Sequence, residues 1–243
     1  MKKFVLVLGF MLLATGAAFA TPSTQIWIPS TDIQGYKTLH LGFDQYITVE
    51  KNDDGTRATT IVNNGITAGV LPSEKIQAEI GIDQRTISAE PADSNPFYFN
   101  AKIGTPEGAL FTGSPAFAVG GYEFGTKTDL TDVNIVYGLA AKTFGAAGRF
   151  SVGFYSGNDK LLVDKNGEKD ATGLLASWDR TLSEISDKLW VAVDYMGGEN
   201  AYGATSFGAA WLFAPNVGVI AGYDIYTNDA IKPTATLQVD INF

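Results

Sequence analysis

The chain closes on Leu237-Gln238-Val239-Asp240-Ile241-Asn242-Phe243, where apolar and polar side chains alternate without a break. A period of two belongs to an extended strand with one face toward an apolar medium and the other toward a polar one. Carried back in the same phase, the apolar face comprises Ala235, Leu237, Val239, Ile241 and Phe243. Half of a soluble sandwich would show the same pattern, so the rest of the chain must choose the medium.

The beginning of the chain bears on that choice. Met1-Lys2-Lys3 is a short basic start, Phe4 to Leu13 an apolar run, and Ala18-Phe19-Ala20 places small residues where signal peptidase reads them. Residues 1–20 are therefore expected to be a cleaved secretory signal and to take no part in the fold. Without Lys2 and Lys3, the 17 basic and 26 acidic residues become 15 against 26, a net charge of -11. So acidic an exported chain is a poor partner for nucleic acid. The absence of cysteine excludes a disulfide scaffold and an anchor attached through a cysteine thiol. No later stretch is apolar for long enough to form a membrane helix, so a spanning chain must close into a barrel. The 27 glycines, 15 phenylalanines, 10 tyrosines and 4 tryptophans suit that architecture, which uses aromatics as interfacial girdles.

Read for alternation, the chain yields about twelve candidate strands, each near the length a tilted membrane strand requires. They run over 37–49, 59–71, 76–85, 97–104, 115–125, 133–143, 149–157, 171–180, 188–196, 204–213, 217–226 and 234–243. Ile76, Ala78, Ile80 and Ile82 oppose Gln77, Glu79, Gly81 and Asp83. In the same way Val133, Ile135, Tyr137, Leu139 and Ala141 are expected to oppose Asn134, Gly138 and Lys142. Short joints at 72–75, 145–148, 183–187 and 214–216 alternate with longer polar ones at 50–58, 86–96, 158–170 and 227–233, with 105–114 the exception on the short side. Such alternation, with an even strand number, predicts an all-β, antiparallel, up-and-down transmembrane barrel over 37–243 with both ends on the short-turn side. Residues 21–36 are then a lead-in on that side or a plug.

The signal, the alternating strands and the terminal Phe243 together resemble the Gram-negative outer-membrane β-barrel and porin class. The resemblance covers the mature chain as an architecture. It implies a bacterial outer-membrane location in contact with outer-membrane lipid. It also implies an assembly signal at Leu237, Val239, Ile241 and Phe243, read by the barrel-assembly machinery. Outward Trp211, Phe213 and Phe243 at the short-turn ends of their strands, and Tyr195 at a long-loop end, fall where girdles sit.

Catalysis finds little support. The single histidine, His40, shares a polar strand face with Asp44 near the short-turn end, where a histidine in a polar network is the ordinary reading and a nucleophile–base pair the exceptional one. Residues 164–170 (Asp-Lys-Asn-Gly-Glu-Lys-Asp) lack calcium-loop spacing and read as a solvated loop. No catalytic residue, metal site or cofactor is expected. What remains is the inward charge: Asp44, Glu79, Asp83, Asp179, Asp194, Asp224 and Asp240 against Lys102, Lys142, Arg149 and Lys188. These either cross-link a filled interior or line a pore that favours cations. Inward Gly42, Gly81, Gly138, Gly153, Gly218 and Gly222 leave room, whereas Tyr155, Trp190 and Tyr226 take it back. The expected function is a narrow porin-like channel passing ions or small polar solutes. The alternative is a closed barrel acting through its external loops on a ligand or partner.

Overall fold

The computed structural model describes residues 23–52, 54–56, 59–87 and 94–243. The expected signal over 1–20 lies outside the described residues. The strands are β1 (Leu39–Thr48), β2 (Ile61–Gly69), β3 (Gln77–Ile87), β4 (Phe97–Thr105), β5 (Ala116–Gly125), β6 (Asp132–Thr143), β7 (Arg149–Ser156), β8 (Thr172–Thr181), β9 (Leu189–Met196), β10 (Ala204–Ala214), β11 (Val217–Tyr226) and β12 (Thr234–Asn242). Each boundary falls within two residues of the one read from alternation. The twelve close into a barrel in which every strand pairs with its sequence neighbour and β1 with β12. That last seam is antiparallel from His40 opposite Asn242 to Thr48 opposite Thr234. Leu39 and Phe243 extend it, exchanging backbone bonds of 3.0 and 2.8 Å. A ring so closed leaves no strand edge unpaired, the condition for a backbone surrounded by hydrocarbon.

Burial is inverted relative to a water-soluble protein. Glu79, Lys102, Asp179, Asp194, Asp224, Gln238 and Asp240 are buried, while Ile80, Ile103, Val152, Phe154 and Leu237 are exposed. The exposed apolar side chains lie on the outward positions of the strands, where only an apolar medium would satisfy them. Trp211, Phe213, Tyr195 and Phe243 are among them. No helix among the described residues is long and apolar enough to cross a membrane.

β6 departs from expectation. Ile135, Tyr137, Leu139 and Ala141 point inward and are buried, so Gly138 and Lys142 face outward. A Cβ built on Gly138 meets nothing within 4 Å, whereas one on inward Gly81 would strike Asn100 and Thr67. The physical reason is the apolar partner these residues find inside the barrel: Ile135, Tyr137 and Leu139 form one cluster with Ile28. The run stays in unbroken register with β5 from Ala141 opposite Ala116 to Ile135 opposite Tyr122, and the β5–β6 register shifts only beyond it, between Tyr122 and Phe124, where Glu123 and Asn134 are both at positive φ, 61° and 51°.

The tightest joints, 144–148 and 215–216, lie at the end of the barrel where β1 begins; the longest, 49–60 and 157–171, lie at the other. In the first of these, Gly145 and Gly148 adopt φ of 53° and 92°, a turn that side chains rarely allow. The joint 106–115 is folded back by bonds from Gly108 N–H to Ser114 and from Ser114 N–H to Phe111. Its Glu107 pairs with outward Lys142 at 2.7 Å.

Candidate functional site: the lumen and the hairpin within it

Residues 23–30 form a hairpin that is not part of the wall. Thr24 bridges Pro29, Gln25 N–H bonds the Ile28 carbonyl at 2.7 Å, and Ser30 N–H bonds that of Ser23 at 3.0 Å. The hairpin enters from the short-turn end, and its tip, Ile26-Trp27, reaches the long-loop half. There the Trp27 ring meets Tyr46 and Tyr226 edge-on at 5.1 and 5.5 Å, and its indole donates to the Tyr202 carbonyl at 2.8 Å. Ile26 sits against Ala192 and Ile220. A Cβ added at Gly222 would approach its Cγ2 to 2.8 Å, and one at Gly208 its Cδ1 to 2.9 Å. Room left by these inward glycines is taken by the hairpin.

Most of the inward charge serves this insert. The Asp194 carboxylate accepts from the N–H groups of Ile26 and Trp27 at 2.7 and 3.0 Å, and Gln238 donates to the Ile26 carbonyl at 2.6 Å. Gln25 donates to Asp179 at 3.1 Å. Nearer the short-turn mouth, Arg149 forks onto both Asp32 oxygens at 2.8 and 2.9 Å and donates to Asp179 at 2.9 Å. Lys102 donates to the carbonyls of Ser23, Ser30 and Asp32 and lies 3.1 Å from Glu79, which accepts from Gln34 N–H at 2.7 Å. Each carboxylate and ammonium buried here has at least one donor or acceptor, as charges away from bulk water require, although Asp194 uses one oxygen for both of its bonds and its other oxygen has no partner.

The apolar side of the hairpin, Ile26 and Ile28, packs toward β6–β11, and a cavity of about 310 Å³ remains beside it, lined mainly by β1–β5 with Asp240 of β12. Its wall carries Asp44, Glu79, Asp83, Glu123 and Asp240 with the cations Arg85 and Lys102, besides His40, Asn63 and Asn100. Asn100 donates to Asp83 at 2.7 Å and Asn63 to Asp44 at 3.5 Å. At the long-loop end of the cavity Arg85 pairs with Glu123, donates to the Tyr202 hydroxyl at 3.3 Å and lies over the Tyr98 ring at 5.0 Å. Burial raises the Tyr202 phenol, outside the wall strands, well above its ordinary range, and neighbouring Glu123 adds to the effect.

The sequence reading missed Arg85 and Glu123. Arg85 was legible, since it shares the parity of Glu79 and Asp83. Glu123 was not, because a bulge alone turns it inward beside Tyr122.

No family model matches the sequence, and no curated protein matches it. Solved structures do. An outer-membrane channel from Pseudomonas putida F1 aligns over 87% of this chain and 97% of its own at a TM-score of 0.51 and 11% identity. The KdgM porin aligns over 85% of this chain and 98% of its own at 0.52 and 4%. The fold is that of the outer-membrane porin-class barrels.

Within this barrel the remaining expected site residues fall as follows. Asp224 is buried and accepts from the Thr234 hydroxyl at 2.8 Å. His40 has Asn242 at 3.0 Å from Nδ1 and Asp240 at 3.2 Å from Nε2, so both ring nitrogens are engaged and neither is turned to a nucleophile. Lys188 lies in the β8–β9 joint, exposed at the short-turn rim, because the strand begins one residue later. It and Lys142 are the two expected lining residues that the structure places away from the lumen. Leu237, Val239 and Ile241 hold the outward positions of β12, next to the exposed Phe243.

Proposed function

We propose that the protein is an outer-membrane channel for passive diffusion of ions or small polar solutes, with a weak preference for cations. The observation that carries this reading is the cavity beside the hairpin, into which charged side chains point, in a barrel whose outer face is apolar. Five carboxylates face it against two permanent cations. Two of the five are neutralised pairwise, Glu79 by Lys102 and Glu123 by Arg85. Asp44, Asp83 and Asp240 remain, the last facing His40. A cation passing through the cavity would exchange part of its hydration for Asp83, Asn100, Asp44 and Asn63, with the His40–Asp240 pair nearer the short-turn end. Acidic linings of this kind favour cations.

In this reading the chain is exported by a cleaved signal over 1–20, and the barrel-assembly machinery reads Leu237, Val239, Ile241 and Phe243. Residues 37–243 span the membrane with the short turns in the periplasm. Fold likeness to outer-membrane channels supports that placement. The closed-barrel alternative draws support from the hairpin packed in the lumen, and conduction separates the two. Refolded protein in a planar bilayer under a salt gradient should give steps whose reversal potential has the sign of cation preference, and Asp44→Asn with Asp83→Asn should move it toward zero. A folded, heat-modifiable barrel without steps would overturn the channel reading and favour the closed one. Steps whose reversal potential ignores both substitutions would overturn the selectivity assignment.

A further inference from the structure

We infer that the hairpin of residues 23–30 is a displaceable plug, which docks in the lumen and withdraws as a unit toward the short-turn mouth. Three observations carry this. First, the wall does not need it: all twelve strands pair with one another around the ring, so its departure leaves no edge open. Second, the charged groups that hold it are ones that water can take over. Arg149, Lys102 and Asp194 grip it through Asp32, through backbone carbonyls and through backbone N–H groups. When the hairpin leaves, water can solvate each of these side chains, and what withdrawal gives up is the apolar packing of Ile26 on Ala192 and Ile220 and of Ile28 on the cluster around Ile135 and Leu139.

Third, the tether is compact and lies at one end. Gly35 and Thr38 close a turn, with Thr38 N–H on the Gly35 carbonyl at 3.0 Å, and Lys37 and Gly69 tie it to the β2 end through bonds of 2.9 and 3.0 Å. A Cβ at Gly69 would collide with the Gly35 carbonyl, so the turn is seated directly on the wall. Movement is thereby confined to the segment beyond that turn. The docked state narrows the lumen to the cavity along β1–β5, and the withdrawn state adds the volume along β6–β11.

The inference rests on the channel reading for its electrical readout alone. The chain contains no cysteine, so introduced thiols report without background. In folded Ile26→Cys, a water-soluble maleimide should label a side chain that is fully buried when docked. Ile26→Cys with Gly222→Cys places two thiols across the notch, where Ile26 Cγ2 lies 2.8 Å from the Gly222 Cβ position. Oxidation should abolish labelling, and reductant should restore it. In bilayers the reduced pair should show a larger conductance step that disappears on oxidation. Absence of labelling in folded Ile26→Cys, or identical steps in both redox states of a conducting pair, would overturn the plug. Redox-dependent labelling in a protein that never conducts would support the plug and overturn the channel reading.

Discussion

Replacing Asp194 with alanine should undock the hairpin while leaving the barrel wall intact. Asp194 is fully buried on β9, and one of its oxygens accepts from two consecutive N–H groups, those of Ile26 and Trp27. With the carboxylate gone, docking buries two donors without acceptors, at about 1–3 kcal/mol each, or roughly 2–6 kcal/mol together. Since about 1.4 kcal/mol is a factor of ten, the undocked population should rise between about 30-fold and 10⁴-fold. Amide hydrogen exchange followed by mass spectrometry reads this directly. Peptides covering 23–36 should exchange faster by about that factor, limited by the stability left in the docked state, while peptides from β9 and β12 keep their protection. Asp194→Asn retains one acceptor oxygen at the same place and should fall between the two. If Asp194→Ala leaves exchange over 23–36 unchanged, the carboxylate does not hold the hairpin. If the strands lose protection to the same degree, the wall depends on the hairpin and the two are one cooperative unit.

Two further outcomes follow from particular contacts. Arg85→Ala strands the Glu123 carboxylate inside the long-loop end of the lumen and should cost about 3–5 kcal/mol in urea unfolding, with the double variant Arg85→Ala/Glu123→Ala recovering part of the loss; a double variant no more stable than Arg85→Ala would mean that the pair is not coupled. In the 106–115 joint, a hydrogen bond from Lys142, aided by Thr143, holds the Glu107 carboxyl below its ordinary range. A lowered folded value stabilises the protein above the ordinary glutamate range, and that contribution fades as pH falls through the lowered value. For so accessible a pair it amounts to about 0.2–1 kcal/mol. Glu107→Gln should therefore flatten the acid limb of the unfolding midpoint by that amount, and coincident limbs for the two proteins would refute it.

Alternation along the strands determined the architecture by itself. A barrel wall in a membrane repeats a two-residue period in every strand, and joint length marks which ends lie together, so strand number, antiparallel order and closure were all legible locally. The inward faces of β1, β3, β4 and β7–β12 followed from the same parity. The face of β6 did not, because Ile135, Tyr137 and Leu139 look like residues meant for lipid and only the docked Ile28 gives them an apolar partner inside the barrel. Nor did the occupancy of the lumen. Ser23 to Tyr36 carries no period that assigns it to the wall or to solvent, and its place depends on contacts with Asp194, Asp179, Arg149, Lys102, Glu79 and Gln238, which lie at sequence separations from 45 to 212. Sequence decided the wall because hydrogen-bonded strands impose their own repeat on neighbouring residues. Only the closed structure decided what fills it, because charges pointing into a lumen are equally consistent with water, ions or a segment of the same chain until that segment is seen docked against them.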